Sequence, residues 1–394
     1  MNGGLGWDGV RFAKMVESGP AAVQAREINS YYVQRVGPSF AVRAMLEIVG
    51  ADPEPSSIRL GFVVWNLTLL SVALLLLLDA ANRMGLGPLS RWVLFLGLFV
   101  NPANGRLPIY YAPIGDSTAF FLGALTLWGY LARRPAAMVV SFLRAIVSWP
   151  AAFLLLPLLL WPRSEPGAAP TLPVAPLSLN VSRMVGALAL PLGLGLLALL
   201  RRVVEMPGIE NWASSTALAL ATNGLQLGCA AGFALALALV NWRHLRAWPS
   251  IPGLVAAAFL IGISFSYVRR YESGSLAFSG VTFFREVLLF ARSQPFAALV
   301  GHAAYYSALA IAAAALWPKV LREGLKLGPG AFASVALSGL LALDAESRRL
   351  NAFWPLVAFV AVLAMERLWS PRAHLVFCAT TLVLSKLWWP MTGP

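Results

Sequence analysis

Charged side chains are scarce in this sequence, and so are the residues that build disulfide and metal frameworks. Only 12% of the 394 residues are charged, against about a quarter in a typical soluble domain. The two cysteines and three histidines are far apart in the sequence, which indicates neither a disulfide framework nor a zinc site. The sequence also contains no Walker-type loop and no Gly-x-Ser-x-Gly motif, so it lacks the signatures of P-loop enzymes and α/β-hydrolases.

Hydrophobic residues, in contrast, are abundant. They make up 59% of the chain, and the mean hydropathy is +0.72. Leucine-rich runs such as 69–78 and 154–160 exceed what a soluble core requires. Apolar segments near 20 residues long match the ~30 Å hydrocarbon layer of a bilayer. The sequence therefore predicts an all-α, polytopic helical membrane protein.

The apolar segments divide the chain into an N-terminal region, 1–57, and a multi-pass transmembrane domain, 58–394. Predicted spans are 58–80, 89–103, 116–132, 136–161, 183–200, 213–240, 252–268, 296–317, 330–343, 350–366 and 374–390. The segment 136–161 carries Arg144 in its interior and Pro150 near its middle, so we expect two short passes or a helical hairpin rather than one continuous helix. The total is then about 11 or 12 spans.

The net charge of +13 indicates a membrane partner rather than nucleic acid. Most Lys and Arg residues lie in short connectors between apolar spans, where the positive-inside rule expects them on the cytoplasmic side. If 136–161 counts as two passes, these basic connectors all fall on one side. The N-terminal region and the connectors near 104–115, 268–295 and 344–350 then lie on the outer side.

Acids and arginines converge on this predicted outer side. They include Asp8, Arg11, Arg35, Arg106, Asp116, Arg269, Arg270, Glu272, Arg285, Glu286, Asp344, Glu346, Arg348 and Arg349. Ionisable groups near a membrane are costly unless they pair or line a cavity, so the collection is a candidate site. Ordinary solvated loops with mutual ion pairs are the alternative interpretation.

The opening stretch, 2–12, contains a single acid, Asp8, among several glycines. Glycine favours conformations that end helices, so we expect a tight outer loop here. The following segment 31–49 has apolar residues at helical spacing but also Arg35, Arg43 and Glu47, which predicts an amphipathic helix in the membrane interface. Asp8 is either a catalytic base facing the membrane surface or an exposed turn residue.

Four short patches carry a resemblance to a known family. They are Gly-Trp-Asp-Gly-Val-Arg-Phe at 6–12 with Tyr-Tyr-Val-Gln-Arg-Val-Gly-Pro-Ser at 31–39, and the segments 110–117, 141–144 and 346–349, the last of which is followed by Asn351 and Pro355. In that order they resemble the first outer loop, the second outer loop, a basic residue in a broken helix pair and the late outer-loop motif of bacterial GT-C glycosyltransferases, which transfer a sugar from a polyprenyl-phosphate carrier. GT-C proteins normally have a transmembrane helix before this loop, whereas the given sequence starts inside it, so either the start site is misplaced or the first helix is missing.

The resemblance implies an inverting transferase with Asp8, the position that matches the essential loop acid, as the base for the acceptor hydroxyl. Such a base is worth about 10²–10⁴-fold in rate. Asp116 either shares the acceptor or holds a divalent cation with Asp8, since some GT-C enzymes use a metal. No metal site and no certain cofactor are predicted. The predicted phosphate-binding set is Arg348 and Arg349, supported by Arg11, Arg35, Arg269 and Glu346, although any one of these arginines could instead be an interfacial anchor.

The implied partners are a polyprenyl-phosphate-linked sugar, a glycan or lipid acceptor, and the lipid bilayer. The implied location is the bacterial cytoplasmic membrane, with the active site facing the periplasm or exterior. One alternative is a transporter or flippase for a lipid-linked sugar, which predicts interrupted helices and internal symmetry. Another is a polysaccharide polymerase or ligase, which usually has a large catalytic loop late in the chain.

Overall fold

A computed structural model describes residues 6–24, 30–163, 217–241, 248–271, 296–344 and 346–385, together with residues 191, 195 and 198. Over these ranges the chain is helical and contains no strand, which confirms the predicted all-α class. Three of these helices are long and apolar enough to cross a membrane, and five further apolar helices are shorter. The protein therefore has the composition and the elements of a helical membrane protein.

The helices are numbered in chain order. They are α1 (Gly6–Ser18), α2 (Pro20–Gln24), α3 (Ser30–Val33), α4 (Val36–Val49), α5 (Pro55–Arg83), α6 (Pro88–Phe99), α7 (Pro102–Gly105), α8 (Leu107–Tyr110), α9 (Asp116–Leu131), α10 (Pro135–Ile146), α11 (Leu156–Leu160), α12 (Ala217–Val240), α13 (Ile251–Tyr271), α14 (Ala297–Tyr306), α15 (Ala308–Ala315), α16 (Trp317–Leu327), α17 (Pro329–Leu341), α18 (Trp354–Leu368) and α19 (Pro371–Leu384). Two short 3-10 helices, Pro150–Leu155 and Ser347–Leu350, precede α11 and α18.

Several predicted spans coincide with helices of the structure. The predictions at 58–80, 116–132 and 252–268 correspond to α5, α9 and α13. The predicted interruption of 136–161 is also confirmed, because α10 ends at Ile146 and a 3-10 helix starts at Pro150, where proline lacks the N–H that a continuous helix needs. The predicted span 183–200, apart from 191, 195 and 198, and the connector residues 272–295 lie outside the described residues.

One predicted span is divided in a way that the sequence did not indicate. The segment 296–317 contains α14 and α15, separated by Ser307 with a φ of 59°. This left-handed conformation is unusual for a residue other than glycine. Because Ser307 is buried, the surrounding packing fixes this break.

The prediction of a tight loop around Asp8 is wrong, because the helix α1 begins at Gly6 and includes Asp8 as its third residue. The buried face of α1 explains the helix: Phe12, Met15 and Val16 are almost fully buried and pack with residues of α4 and α5. Ser39 Oγ, on α4, also donates a hydrogen bond to the Phe12 carbonyl over 3.1 Å. Tertiary packing of an apolar face outweighs the low helix propensity of glycine.

The predicted amphipathic segment 31–49 is also not one helix. It is divided between α3 and α4, with Gln34 and Arg35 between them. In α4, Val42 and Leu46 belong to a buried core with Ile58 and Phe62 of α5. The apolar face of α4 is therefore covered by protein over these positions.

The connectors gather at two opposite ends of the helices. At one end, named here the Arg133 end, the backbone N–H of Gly87 donates to Glu366 Oε1 over 3.3 Å, and Tyr130 Oη donates to the Leu327 carbonyl over 2.8 Å. At the other, the Asp116 end, Arg348 Nε lies 3.2 Å from Asp116 Oδ1. These contacts bring the connectors near 87, 328 and 366 together at one end, and those near 115 and 347 together at the other.

Helices α9 and α18 lie at the centre of the fold, and their packing fixes the relative position of the two ends. Every residue of α18 from Trp354 to Met365 is buried. On α9, Gly123 faces the backbone of Ala352 so closely that a Cβ at position 123 would overlap the Ala352 carbonyl. The absence of a side chain at Gly123 therefore sets the distance between α9, which starts at Asp116, and the chain that follows Arg348.

We expect Gly123→Ala to destabilise the protein by roughly 1–3 kcal/mol, the usual range for overpacking a core. Gly262→Ala is the matched control, because a Cβ at Gly262 of α13 meets no atom within 4 Å and alanine is the better helix former. Thermal unfolding of both variants in detergent measures the difference. A Gly123→Ala protein as stable as the control would contradict this account of the contact.

Candidate functional site

The candidate site centres on Asp116, the first residue of α9. Its side chain is almost fully buried, with 4% exposed. Tyr305 Oη donates to Asp116 Oδ2 over 2.7 Å, and Arg348 Nε donates to Oδ1 over 3.2 Å. The N-terminal end of α9 also favours a negative charge at this position. Asp116 is thus a buried carboxyl group that hydrogen bonds fix from two directions.

Two consecutive arginines on the 3-10 helix Ser347–Leu350 have different partners. Arg349 Nη1 lies 2.7 Å from Asp344 Oδ2, and its Nε lies 2.8 Å from Glu346 Oε2. Arg348 Nη1 has only a long contact with Glu346, at 3.9 Å. Arg349 therefore stabilises the turn through its short ion pairs. The terminal nitrogens of Arg348 are less closely paired, so Arg348 is better placed to bind an anion.

The charges of this cluster stabilise each other. Burial by itself lowers the pKa of Arg348, but the negative charges of Asp116 and Glu346 and the neighbouring Tyr305 together raise it above the ordinary value. Burial raises the pKa of Asp344, and the hydrogen bonds from the Glu346 N–H and from Arg349 oppose that effect. Arg348 is consequently a permanent cation next to a desolvated carboxylate.

A layer of neutral polar groups surrounds the cluster, and it was not among the residues predicted from the sequence. Tyr306 Oη lies 2.6 Å from Asn351 Oδ1 and donates to the Ser347 carbonyl over 2.8 Å. His302 bridges Ser347 Oγ, at 2.8 Å, and the Ala342 carbonyl, at 2.9 Å. The signal that could have identified these residues is a histidine and two tyrosines within an otherwise apolar segment, 296–317, where polar groups need partners.

An apolar cavity of about 340 Å³ lies directly behind this layer. Its walls come from α12, α14, α15, α17 and α18 and from the 3-10 residue Leu350. Tyr306 and His302 face it, and Tyr306 stacks on Trp354 with 4.2 Å between ring centroids. The same 3-10 helix therefore carries Arg348 towards the charged cluster and Leu350 into the apolar cavity.

The structure brings together four of the residues predicted to form the site: Asp116, Glu346, Arg348 and Arg349. The other arginines lie elsewhere at this end. Arg11 is exposed on α1, with its guanidinium 4.9 Å from the Tyr32 ring centroid, and Arg269 is exposed in the last turn of α13. Nothing is described of the Asp8 side chain, although its backbone belongs to α1.

Arg35 is not part of the Asp116 cluster, but Trp149 links it to the residue that precedes Asp116. Its guanidinium lies 4.3 Å from the Trp149 ring centroid, a cation–π distance. The Trp149 ring in turn borders Gly115, the residue before Asp116. The N-terminal helices also share a buried core with Ala112 and Val147. The region of Asp8 therefore packs on the same end of the molecule as Asp116.

Metal binding has no further support in this geometry. Within the described ranges, no group of three or more His, Cys, Asp or Glu side chains is arranged to hold a metal ion. Both Asp116 oxygens already accept hydrogen bonds. The predicted divalent cation shared with Asp8 stays a prediction.

No protein-family model matches the chain, and comparison with curated proteins and with solved structures found no match. The structure by itself defines an all-helical protein with apolar helices suited to a bilayer and a buried acid–arginine cluster at one end.

The Asp116–Arg348 pair allows a double-mutant test. Removing one partner of a buried pair leaves an uncompensated charge, so we expect Asp116→Asn and Arg348→Gln each to cost roughly 3–5 kcal/mol, with the double variant losing less than the sum. Unfolding of the purified protein in detergent measures these values. The exposed pair Arg43–Glu47 is the comparison, with an expected coupling of about 0.5 kcal/mol. Additive losses at Asp116 and Arg348 would mean that the two residues do not interact.

Proposed function

We propose that this protein is a membrane glycosyltransferase of the GT-C type, with about twelve spans, in the bacterial cytoplasmic membrane. It transfers a sugar from a polyprenyl-phosphate carrier to an acceptor hydroxyl on the outer face. The observation that carries this proposal is that the charged cluster adjoins the apolar cavity: Arg348 and Leu350 belong to one 3-10 helix, and they lie in the charged cluster and in the cavity wall respectively.

Arg348 is the proposed phosphate ligand. Its side chain is 23% exposed, and its Nε is held by Asp116 while its terminal nitrogens keep donors available for a phosphate. A phosphate would compete only with the 3.9 Å contact to Glu346. Binding of the carrier would therefore leave the buried Asp116 pair intact.

The apolar cavity is the proposed site for the first part of the polyprenyl chain. Its lining includes Leu225, Leu299 and Val357, an apolar surface that resembles the lipid tails with which such a chain packs in the bilayer. The carrier needs both a cation for its phosphate and an apolar surface for its tail, and these adjoin each other here.

Asp8 remains the proposed base, with Asp116 in a supporting role. In the proposed reaction, the acceptor oxygen attacks the anomeric carbon as its proton passes to a carboxylate, and the bond between that carbon and the carrier phosphate oxygen breaks. The configuration is inverted, and the polyprenyl phosphate leaves with the additional negative charge next to Arg348. Asp116 accepts hydrogen bonds on both oxygens, so we assign it to orienting Arg348 and Tyr305 rather than to accepting the proton.

The test is sugar transfer by purified protein in lipid, supplied with a panel of polyprenyl-phosphate sugars and acceptors. We expect Asp8→Asn to reduce turnover by about 10²–10⁴-fold and Arg348→Gln by about 10²-fold or more. Glu17→Gln, which changes an exposed carboxylate on the same helix as Asp8, and Arg372→Gln, at an exposed arginine of α19, should stay within about twofold of wild type.

Two results would contradict the proposal. Full transfer by Asp8→Asn would remove Asp8 as the base. Movement of the intact lipid-linked sugar across the membrane, with no cleavage of the sugar–phosphate bond, would identify a flippase instead.

A further inference from the structure

A second group of arginines lies at the Arg133 end, remote from the proposed transfer site. Helix α9 ends there, and Arg133 adopts a φ of 57° while the following Arg134 N–H bonds to the Gly129 carbonyl over 2.7 Å. A left-handed residue at this position after a helix is most often glycine. Arg133 thus adopts a backbone conformation that residues with a side chain disfavour, and such conformations are often found at functional sites.

Arg163 lies in the same region, after the end of α11. The Trp161 carbonyl borders Gly330 and Tyr130 Oη borders Gly328, so the segments that carry Arg163 and Arg133 both pack on the connection between α16 and α17. Arg163 Nη1 lies 3.4 Å from the Met84 sulfur, and a thioether is only a weak acceptor for a guanidinium. The side chain is half-buried. Burial lowers the pKa of Arg163, Tyr130 opposes this effect, and the positive charge of Arg133 lowers the pKa further. An anion next to both guanidinium groups would relieve the burial and the repulsion together.

Two acids of this region, Glu323 and Asp79, are already paired with other cations, and the exposed Glu366 accepts a hydrogen bond from the Gly87 N–H. Glu323 lies 2.7 Å from Lys326 Nζ and 3.1 Å from Arg367 Nη1. Asp79 lies 2.6 Å from Arg83 Nε and accepts a hydrogen bond from Trp128. Across the ranges that the structure describes, neither Arg133 nor Arg163 has an ion pair with a carboxylate.

The ends of the neighbouring helices hold this arrangement in place. Tyr130 Oη bonds to the Leu327 carbonyl, which fixes the last turn of α9 against α16. Gly328, beside Tyr130, has a φ of 131°, a value that favours glycine. The position of Arg133 is therefore set by packed backbone.

We propose that Arg133 and Arg163 form a second anion site, which binds a phosphate group at the end of the molecule opposite Asp116. Two guanidinium groups without a carboxylate partner match the charge and the hydrogen-bond acceptors of a phosphate mono- or diester. The phosphate comes either from an anionic phospholipid headgroup or from a soluble phosphate. This proposal does not depend on the transfer reaction.

The experiment uses the full chain, purified in detergent and depleted of lipid. Native mass spectrometry counts retained phosphatidylglycerol or phosphatidylcholine, and the shift in thermal unfolding is followed while phosphatidylglycerol or inorganic phosphate is added. We expect wild type to retain and be stabilised by phosphatidylglycerol, and Arg163→Gln to weaken that binding about tenfold. Arg372→Gln removes an equal charge from an exposed position at the same end and should bind as wild type does.

Arg133→Gly separates binding from folding. Glycine suits the left-handed conformation, so this variant should be at least as stable as wild type without ligand, yet bind phosphatidylglycerol about tenfold more weakly. Stabilisation by inorganic phosphate alone, lost in both variants, would support the site and identify a soluble source. Two results would overturn the proposal. One is that neither phosphatidylglycerol nor inorganic phosphate stabilises wild type. The other is that Arg163→Gln and Arg133→Gly bind these ligands as wild type does.

Discussion

The ion pair between Asp116 and Arg348 is the constraint on which the rest of the structure depends. It joins residues 232 positions apart in the sequence in a place where the carboxylate is nearly excluded from water. A charge buried in this way is tolerated only with a partner and well-formed hydrogen bonds, so the start of α9, the turn before α18 and Tyr305 must all meet at one point. The close approach at Gly123 is what allows them to do so. Such pairs add little net stability, but they select one arrangement among many that would bury apolar helices equally well.

The sequence predicted the elements whose signal is local. The apolar composition of α5 and α13 and the proline at 150 were sufficient to predict two helices and a helix interruption. Helix α1 was missed because its glycines indicate a loop, whereas its stability comes from burial of Phe12, Met15 and Val16 against helices that are distant in sequence. The break at Ser307 has the same origin, since it depends on packing and has no glycine or proline to mark it.

The candidate site was predictable to the extent that charge is conspicuous in an apolar chain. Asp116, Glu346, Arg348 and Arg349 were chosen from the sequence for that reason, and they are in contact. The different ion-pair partners of Arg348 and Arg349 were not predictable, because they depend on the direction in which each side chain leaves the 3-10 helix. The neutral residues were missed as well. Hydroxyl, amide and imidazole groups within an apolar segment can each be recognised in the sequence. The sequence pattern does not predict that Tyr306 and Asn351 form a hydrogen bond with each other.

Charged side chains that are shielded from water are paired differently at the two ends of the molecule, and this difference indicates how each end could bind an anion. At the Asp116 end, acids and arginines neutralise each other, yet they are unequally paired. Arg349 has two short ion pairs, whereas Arg348 has one short and one long contact. An incoming phosphate would displace only the long contact, so binding requires little rearrangement and preserves the buried pair. At the Arg133 end, Asp79 and Glu323 are already engaged by Arg83, Lys326 and Arg367. Within the described chain, no carboxylate forms an ion pair with Arg133 or Arg163. An anion there would complete the site rather than compete for it. The first arrangement suits a ligand that must arrive and leave, and the second suits one that stays bound.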